Sequence, residues 1–338
     1  MKLIIQIPCL NEEATLAHTV ADLPTSIPGI DTIEVLVIDD GSTDRTVEVA
    51  REAGVHHVVR FTRNKGLARA FMAGLDASLQ LGADIIVNTD ADNQYCGAGI
   101  AALVKPILDQ EADMVIGSRP IEEIAHFGFL KKRLQRLGSW VIRKVSRTSV
   151  PDATSGFRAY SREAALRMNV LNDFTYTLET IIQAGQSNIH VAHVPIQVNP
   201  PTRKSRLFRG TGQYVKRSAL TIFRIFMVYK SLRVFALIGG LVFALGVLVG
   251  LRFVYVYVFH PHASRGMIQS LILAAVLLII GFQVMVMGFI ADLIAANRKL
   301  IQDTLFRVRQ LELDEEHRVR QRPSPPPEDD APADPEAT

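Results

Sequence analysis

The sequence predicts an α/β domain built on a mostly parallel sheet and followed by a helical membrane hairpin. Three observations carry this. Up to about residue 198, short β-branched runs alternate with longer stretches of helical spacing. The runs are apolar almost throughout, as strands buried on both faces beneath crossover helices are. Two further apolar runs, of 26 and 27 residues, follow residue 233, each longer than the ~20 residues that a bilayer core requires.

The strands are expected at residues 2–8, 34–40, 56–61, 84–90 and 113–117, and the helices at 43–53, 67–81 and 99–110. Thr43 or Asp44 is placed to cap the first of those helices. In parallel α/β sheets, ligands bind at the carboxyl ends of the strands. The polar clusters fall there: Asn11-Glu12, Asp39-Asp40 and Asp90 to Gln94.

Residues 234–259 hold one charge, Arg252, and residues 267–293 only Asp292. Nine Lys or Arg residues and no acid lie between Arg203 and Arg233; the loop 260–266 has only Arg265, and Arg298, Lys299, Arg307 and Arg309 follow the second run. The positive-inside rule therefore puts both termini in the cytoplasm. Residues 212–233 mix aromatic and aliphatic side chains with cations, as an interfacial helix on anionic lipid does. The expected organisation is the α/β domain over 1–210, the interfacial helix over 211–233, the hairpin over 234–296 and a basic helix over 297–322. An acidic, Pro-rich, disordered tail completes it over 323–338. The N-terminus lacks the apolar run of a signal peptide. Cys9 and Cys96 form neither a disulfide framework nor a zinc site.

The stretch NTDADNQY at 88–95 sets Asp90 and Asp92 one residue apart behind an apolar strand. Such crowded negative charge calls for a cation. Carboxylates and an amide (Gln94), without thiols, suit Mg²⁺ or Mn²⁺, although an isolated D-x-D also suits a plain Asx turn. Two more acidic strand ends, IPCLNEE at 7–13 and VIDDGSTDRT at 37–46, would surround a ligand with hydrogen-bond donors of its own, such as a nucleotide's ribose and base. No G-x-G-x-x-G and no G-x-x-x-x-G-K-[ST] occurs, which argues against a dinucleotide dehydrogenase and a P-loop NTPase.

These motifs, with RNKGLARA at 63–70, VIGSR at 115–119 and DATSGFR at 152–158, resemble in order the family 2 glycosyltransferases of the GT-A fold. Within that family they are similar to the dolichyl- and polyprenyl-phosphate sugar synthases with C-terminal anchoring helices. The resemblance covers roughly residues 1–210. It implies a Rossmann-like nucleotide-diphospho-sugar domain whose donor is held by Pro8, Leu10, Asn11, Glu12, Ile38, Asp40, Asp90, Ala91, Asp92 and Ser205. It further implies Mg²⁺ or Mn²⁺ on Asp92 and Gln94, and Arg119 facing phosphates. The family's G-x-S-K loop departs here to NPPTRKSRLF: Ser205-Arg206 match with Arg for Lys, the Gly is missing, and Arg203 stands as a substitute.

The implied acceptor, a polyprenyl phosphate in the lipid bilayer, is mostly a dianion at neutral pH, with a second pKa of about 6. It needs cations rather than a strong base. Arg119, Arg133, Arg158, Arg203 and Arg206 are the candidates, since Arg grips phosphate bidentately. Arg133 also reads as part of a cationic helix face, and Arg158 as a stabiliser of its own loop. Glu179 either orients sugar hydroxyls or complements the positive end of a helix. The expected reaction is in-line displacement at the sugar's C1 with inversion, from a UDP-hexose (glucose or N-acetylglucosamine) in preference to GDP-mannose. Nothing points to nucleic acid, and a homo-oligomer is compatible with the chain. A processive polysaccharide synthase would carry Q-x-x-R-W, which the single Trp140 does not provide. A flippase or inert binding protein would have little use for both D-x-D and GSR.

Overall fold

The computed structural model describes residues 1–119, 148, 150–170, 176–200, 231–259 and 268–321. The first strand, β1 (Lys2–Cys9), shows why the domain is layered. Side chains alternate across a strand, so Leu3, Ile5 and Ile7 enter one core while Ile4 enters the other. Helices α1 (Leu16–Ala21), α2 (Thr46–Glu52) and α4 (Gly99–Leu108) cover the first core. Helices α3 (Leu67–Gln80), α5 (Arg162–Arg167) and α6 (Thr177–Gln186) cover the second.

The remaining strands are β2 (Thr32–Asp39), β3 (His57–Arg60), β4 (Ile85–Asn88), β5 (Met114–Ser118), β6 (Arg158–Ser161) and β7 (Val191–Pro195). They form one seven-stranded sheet in the order β3-β2-β1-β4-β6-β5-β7. Only β6 runs antiparallel to its neighbours. The mostly parallel sheet expected from the apolar runs is present, and β6 and β7 extend it beyond the five expected strands. Because β1 lies between β2 and β4, the carboxyl ends of all three meet on one rim.

The fourth strand stops at Asn88 rather than at residue 90. The buried Asn88 side chain accepts from Gln6 Nε2 at 2.9 Å and donates through Nδ2 to the Gly156 carbonyl and to Tyr176 Oη, both at 2.9 Å. That knot turns the chain out of the ladder, so Asp90 and Asp92 sit on the following loop.

The two apolar runs are helices, α7 (Ser231–Phe259) and α8 (Ile268–Gln321), each long and apolar enough to cross a membrane. They pack through glycines. A Cβ on Gly281 would lie 2.6 Å from Phe243 N, and one on Gly239 2.7 Å from Gly281 O. Small residues allow such backbone approach where the hydrophobic effect does not drive association. The basic helix expected as a separate element over 297–322 is a continuation of the second run. No Gly or Pro occurs between Gly288 and Gln321 to interrupt it. Its far part docks on the second core: Leu313 is buried there, and Phe306 packs beside it beneath the Arg167 guanidinium, 4.4 Å from the ring centre. The expected interfacial helix up to residue 230, the loop 260–267 and the acidic tail lie outside the described residues.

Candidate active site

The rim is assembled from loops that fasten one another. After β1 (where Pro8 is paired in register with Ile38), Leu10 and Asn11 begin the first loop. Asn11 adopts a left-handed conformation, φ +55°. Its N–H donates to Ser42 Oγ, and its Oδ1 accepts from the Thr43 N–H, both at 2.9 Å. The Glu12 N–H donates to Thr46 Oγ1 at 2.8 Å, and the Glu12 carboxylate accepts from Thr15 Oγ1. Asp44, one of the two expected caps, accepts the Thr46 N–H at 3.0 Å. The β1 and β2 loops therefore form one unit.

Asp39 is fully buried, ion-paired with Arg60 at 3.2 Å. Asp40 accepts two main-chain N–H groups of the RNKG loop, Lys65 at 2.6 Å and Gly66 at 2.9 Å. Asp40 thus fixes the loop between β3 and α3. Gly41, at φ +75°, lets the two loops touch: a Cβ there would lie 2.6 Å from the Arg63 carbonyl carbon. Gly41→Ala combines left-handed strain with overpacking and is expected to destabilise the protein by about 2–4 kcal/mol. Denaturant unfolding in detergent checks this, and an unchanged midpoint would refute the packing described. Ile38 faces the second core, fully buried, so its side chain does not reach the rim. Any contact from Ile38 to a donor therefore goes through its backbone.

The β4 loop holds the acidic pair. Ala91 is buried and its carbonyl accepts from Thr19 Oγ1 at 2.9 Å. Asp92 Oδ1 accepts the Gln94 N–H at 3.2 Å in an Asx turn. The turn and a ligand role are compatible, since a carboxylate has about four acceptor sites. Asn199 straps the loop from outside, donating to the Gln94 and Asn93 carbonyls at 2.9 Å each. The Asp90 carboxylate lies against Gly156, 3.2 Å from where a Cβ would stand.

Gly156 belongs to a second loop, residues 152–158, that closes over the pair. Asp152 is fully buried and receives the Arg119 guanidinium through Nε at 2.7 Å and Nη2 at 3.2 Å. Burial opposes charge on both partners, but each overcomes it for the other. Arg119 is raised by Tyr95, Asp152 and Asp90, and Asp152 is held below the usual carboxylate range by Arg119 and Thr154. Tyr95 stacks on Phe157 at 5.0 Å, and burial pushes its phenol up. Arg119 therefore stands beside the acidic loop as a permanent cation whose one edge Asp152 occupies.

Arg158 is different. Fully buried, it donates to the carbonyls of Ser155, Thr177 and Ala153 and to Thr180 Oγ1, at 2.7–3.0 Å. These bonds join the 152–158 loop to the start of α6, the loop-stabilising alternative the sequence offered for Arg158. Arg133, Arg203, Ser205 and Arg206 lie outside the described residues. Asn88, Asp152 and Tyr176 build the site without having been singled out in the sequence. Asp152 heads DATSGFR, and the amide of Asn88 ends an apolar run, which is the signal each offered.

Two carboxylates on one loop suit a hard divalent cation completed by ligand oxygens. Among the described residues no group of three His, Cys, Asp or Glu gathers into a full protein cage.

Residues 4–167 match the family model described as "Glycosyl transferase family 2". An uncharacterized protein of Methanocaldococcus jannaschii is 33% identical over 202 residues, spanning 58% of this chain and 81% of its own length. The chain belongs to glycosyl transferase family 2. A second relative of this glycosyltransferase is the UDP-N-acetylglucosamine–dolichyl-phosphate N-acetylglucosaminyltransferase of Methanococcus voltae. It is 28% identical over 216 residues, covering 56% of this chain and 83% of that one. Glucosyl-3-phosphoglycerate synthase from Mycobacterium tuberculosis, solved with Mn²⁺, UDP and glucosyl-3-phosphoglycerate, superposes with a TM-score of 0.52. At 19% identity, over 67% of this chain and 78% of that one, it shares the GT-A fold alone.

Proposed function

We propose that this glycosyltransferase moves a hexose from a nucleotide sugar to a polyprenyl or dolichyl phosphate held in the bilayer. The observation that carries the reading is α8. One unbroken helix of 54 residues runs from the apolar hairpin onto the flank of the sheet domain. Such a tether suits an enzyme with one water-soluble substrate and one that stays in lipid. α7 and α8 are then membrane spans, with the domain and both termini on the cytoplasmic side, where the flanking cations accumulate.

Asp90 and Asp92, with the Gln94 amide, would hold Mg²⁺ or Mn²⁺, which when bound offsets the charge of the leaving diphosphate. Asn11, Glu12 and the main chain around Pro8, Leu10, Ile38 and Asp40 line the side of the rim where the nucleoside would lie. Arg119 supplies fixed positive charge next to the carboxylates and lowers the repulsion between two anionic reactants. The acceptor dianion attacks C1 in line, the bond from C1 to the diphosphate oxygen breaks, and the anomeric configuration inverts. No proton needs removing from the nucleophile. A UDP-hexose is the favoured donor, supported by the substrate named for the Methanococcus relative.

Release of nucleoside diphosphate from a panel of UDP- and GDP-sugars, with Mn²⁺ and with or without polyprenyl phosphate in vesicles, tests this. UDP release that requires both the metal and the lipid phosphate is the expected result. No release with any sugar nucleotide, or release indifferent to the lipid, overturns it.

A further inference from the structure

Two ends of α8's docked segment touch opposite ends of the domain. Arg298 Nη2 donates to Glu179 Oε1 at 2.7 Å, in a pair whose side chains are 26% and 12% exposed. Glu179 is in the first turn of α6, whose preceding residue, Tyr176, reaches Asn88 at the end of β4. Eleven residues further along α8, Arg309 donates to the Met168 carbonyl at 2.8 Å and pairs with Asp76 at 3.4 Å. Asp76, Leu79 and Gln80 belong to the last turns of α3, which leads into the start of β4, and with Arg309 and Leu313 they line a cleft of about 670 Å³. So α8 meets the rim end first and the amino-end side of the sheet second. Its apolar part precedes Arg298, and the α7 start, near Leu232, lies against Gly288. Arg298 is thus ten residues beyond that level, roughly 15 Å at about 1.5 Å per residue, within or just above the headgroup layer.

From this we infer that α8 is a strut that turns the carboxyl-end rim toward the bilayer, with Arg298 and Glu179 as its positioning contact for the lipid-held acceptor. The inference rests on the acceptor reading proposed above. In this role the pair acts through the placement of the rim and not on the reacting atoms. It sets the height and tilt at which the rim loops meet the headgroups, while Arg309, Phe306 and Leu313 anchor the far end. An acceptor phosphate confined to the membrane surface is reached only when that geometry holds, and displacement of reactants by about 1 Å costs up to about a hundredfold in rate. An acceptor free in solution is indifferent to it.

The test compares two acceptors. Arg298→Glu is expected to lower kcat/KM for long-chain polyprenyl phosphate in vesicles by roughly tenfold. It should leave kcat/KM for a short, water-soluble prenyl phosphate within about twofold, as loss of a partly exposed pair away from the chemistry does. The exchange Arg298→Glu with Glu179→Arg should recover most of the vesicle activity. Equal losses on both acceptors, no loss on either, or failure of the exchange to recover activity overturns the strut. A second measurement needs no turnover. With Cys96 replaced by Ser, a fluorophore on Asn64→Cys at the rim should be quenched by headgroup-nitroxide lipid more strongly than one on Gln80→Cys at the other end of α3. Equal or reversed quenching overturns the orientation even if the acceptor reading stands, whereas absence of lipid-dependent UDP release removes the acceptor reading without touching the quenching result.

Discussion

Asp92→Asn is expected to reduce kcat by about a thousandfold while leaving the melting temperature unchanged, the scale on which removing one preorganised electrostatic group at a developing charge acts. The variant is nearly isosteric. An asparagine Oδ1 still accepts the Gln94 N–H that Asp92 Oδ1 accepts at 3.2 Å, so the turn survives. What disappears is one of the two negative charges that make the loop attractive to a divalent cation. Turnover should therefore recover only in part at raised Mn²⁺, and the Mn²⁺ needed for half-maximal rate should rise. Water-proton relaxation by Mn²⁺ gives the affinity independently of turnover. Near wild-type kcat at ordinary Mn²⁺ would sink the assignment of this loop to the metal. Loss of kcat with a fallen melting temperature would mean that the carboxylate holds the fold instead.

Much of this arrangement is legible along the chain because its causes are local. The strands β1, β2 and β4 are apolar for most of their length, and a polar cluster stands at the rim end of each. The alternation that sends Leu3, Ile5 and Ile7 to one core and Ile4 to the other also follows from sequence. β6 and β7 are another matter. RAYS and VAHVP, at four and five residues, carry no period that distinguishes them from loop, and β6 exists because two neighbouring strands accept it antiparallel. Arg158 shows the same limit at the level of a side chain. An arginine in a loop motif reads equally as phosphate ligand or buried clamp, and it is the carbonyls of Ser155, Ala153 and Thr177, invisible to spacing, that favour the clamp. The Arg298 contact spans 119 positions, beyond any spacing rule. The continuity of α8 past the membrane boundary, by contrast, is legible as the absence of Gly and Pro between Gly288 and Gln321, and dividing it there follows composition where helix continuity governs.

Asp152→Asn is expected to destabilise the protein by about 3–5 kcal/mol, because it leaves the Arg119 guanidinium largely buried without its countercharge. The effect has a definite pH signature. Arg119 holds the Asp152 carboxyl below the ordinary carboxylate range once burial is overcome. A group whose folded pKa is depressed contributes stability that is present above its unfolded value, about 3.9, and lost as pH falls through the folded value. The gap between wild type and variant should therefore be constant from neutral pH down to about pH 4 and narrow below it, as denaturant unfolding at a series of pH values would show. A gap that instead changes near neutral pH would place its origin in some other group. The double variant Arg119→Met with Asp152→Leu separates structure from chemistry. Replacing a buried pair by apolar residues of similar volume is often neutral for stability, so folding should return close to wild type. Activity should not, because the cation beside Asp90 is gone. If the refolded double variant transferred sugar at the native rate, Arg119 would be a fastener for the 152–158 loop and the charge that draws the two anionic reactants together would have to come from elsewhere on the rim.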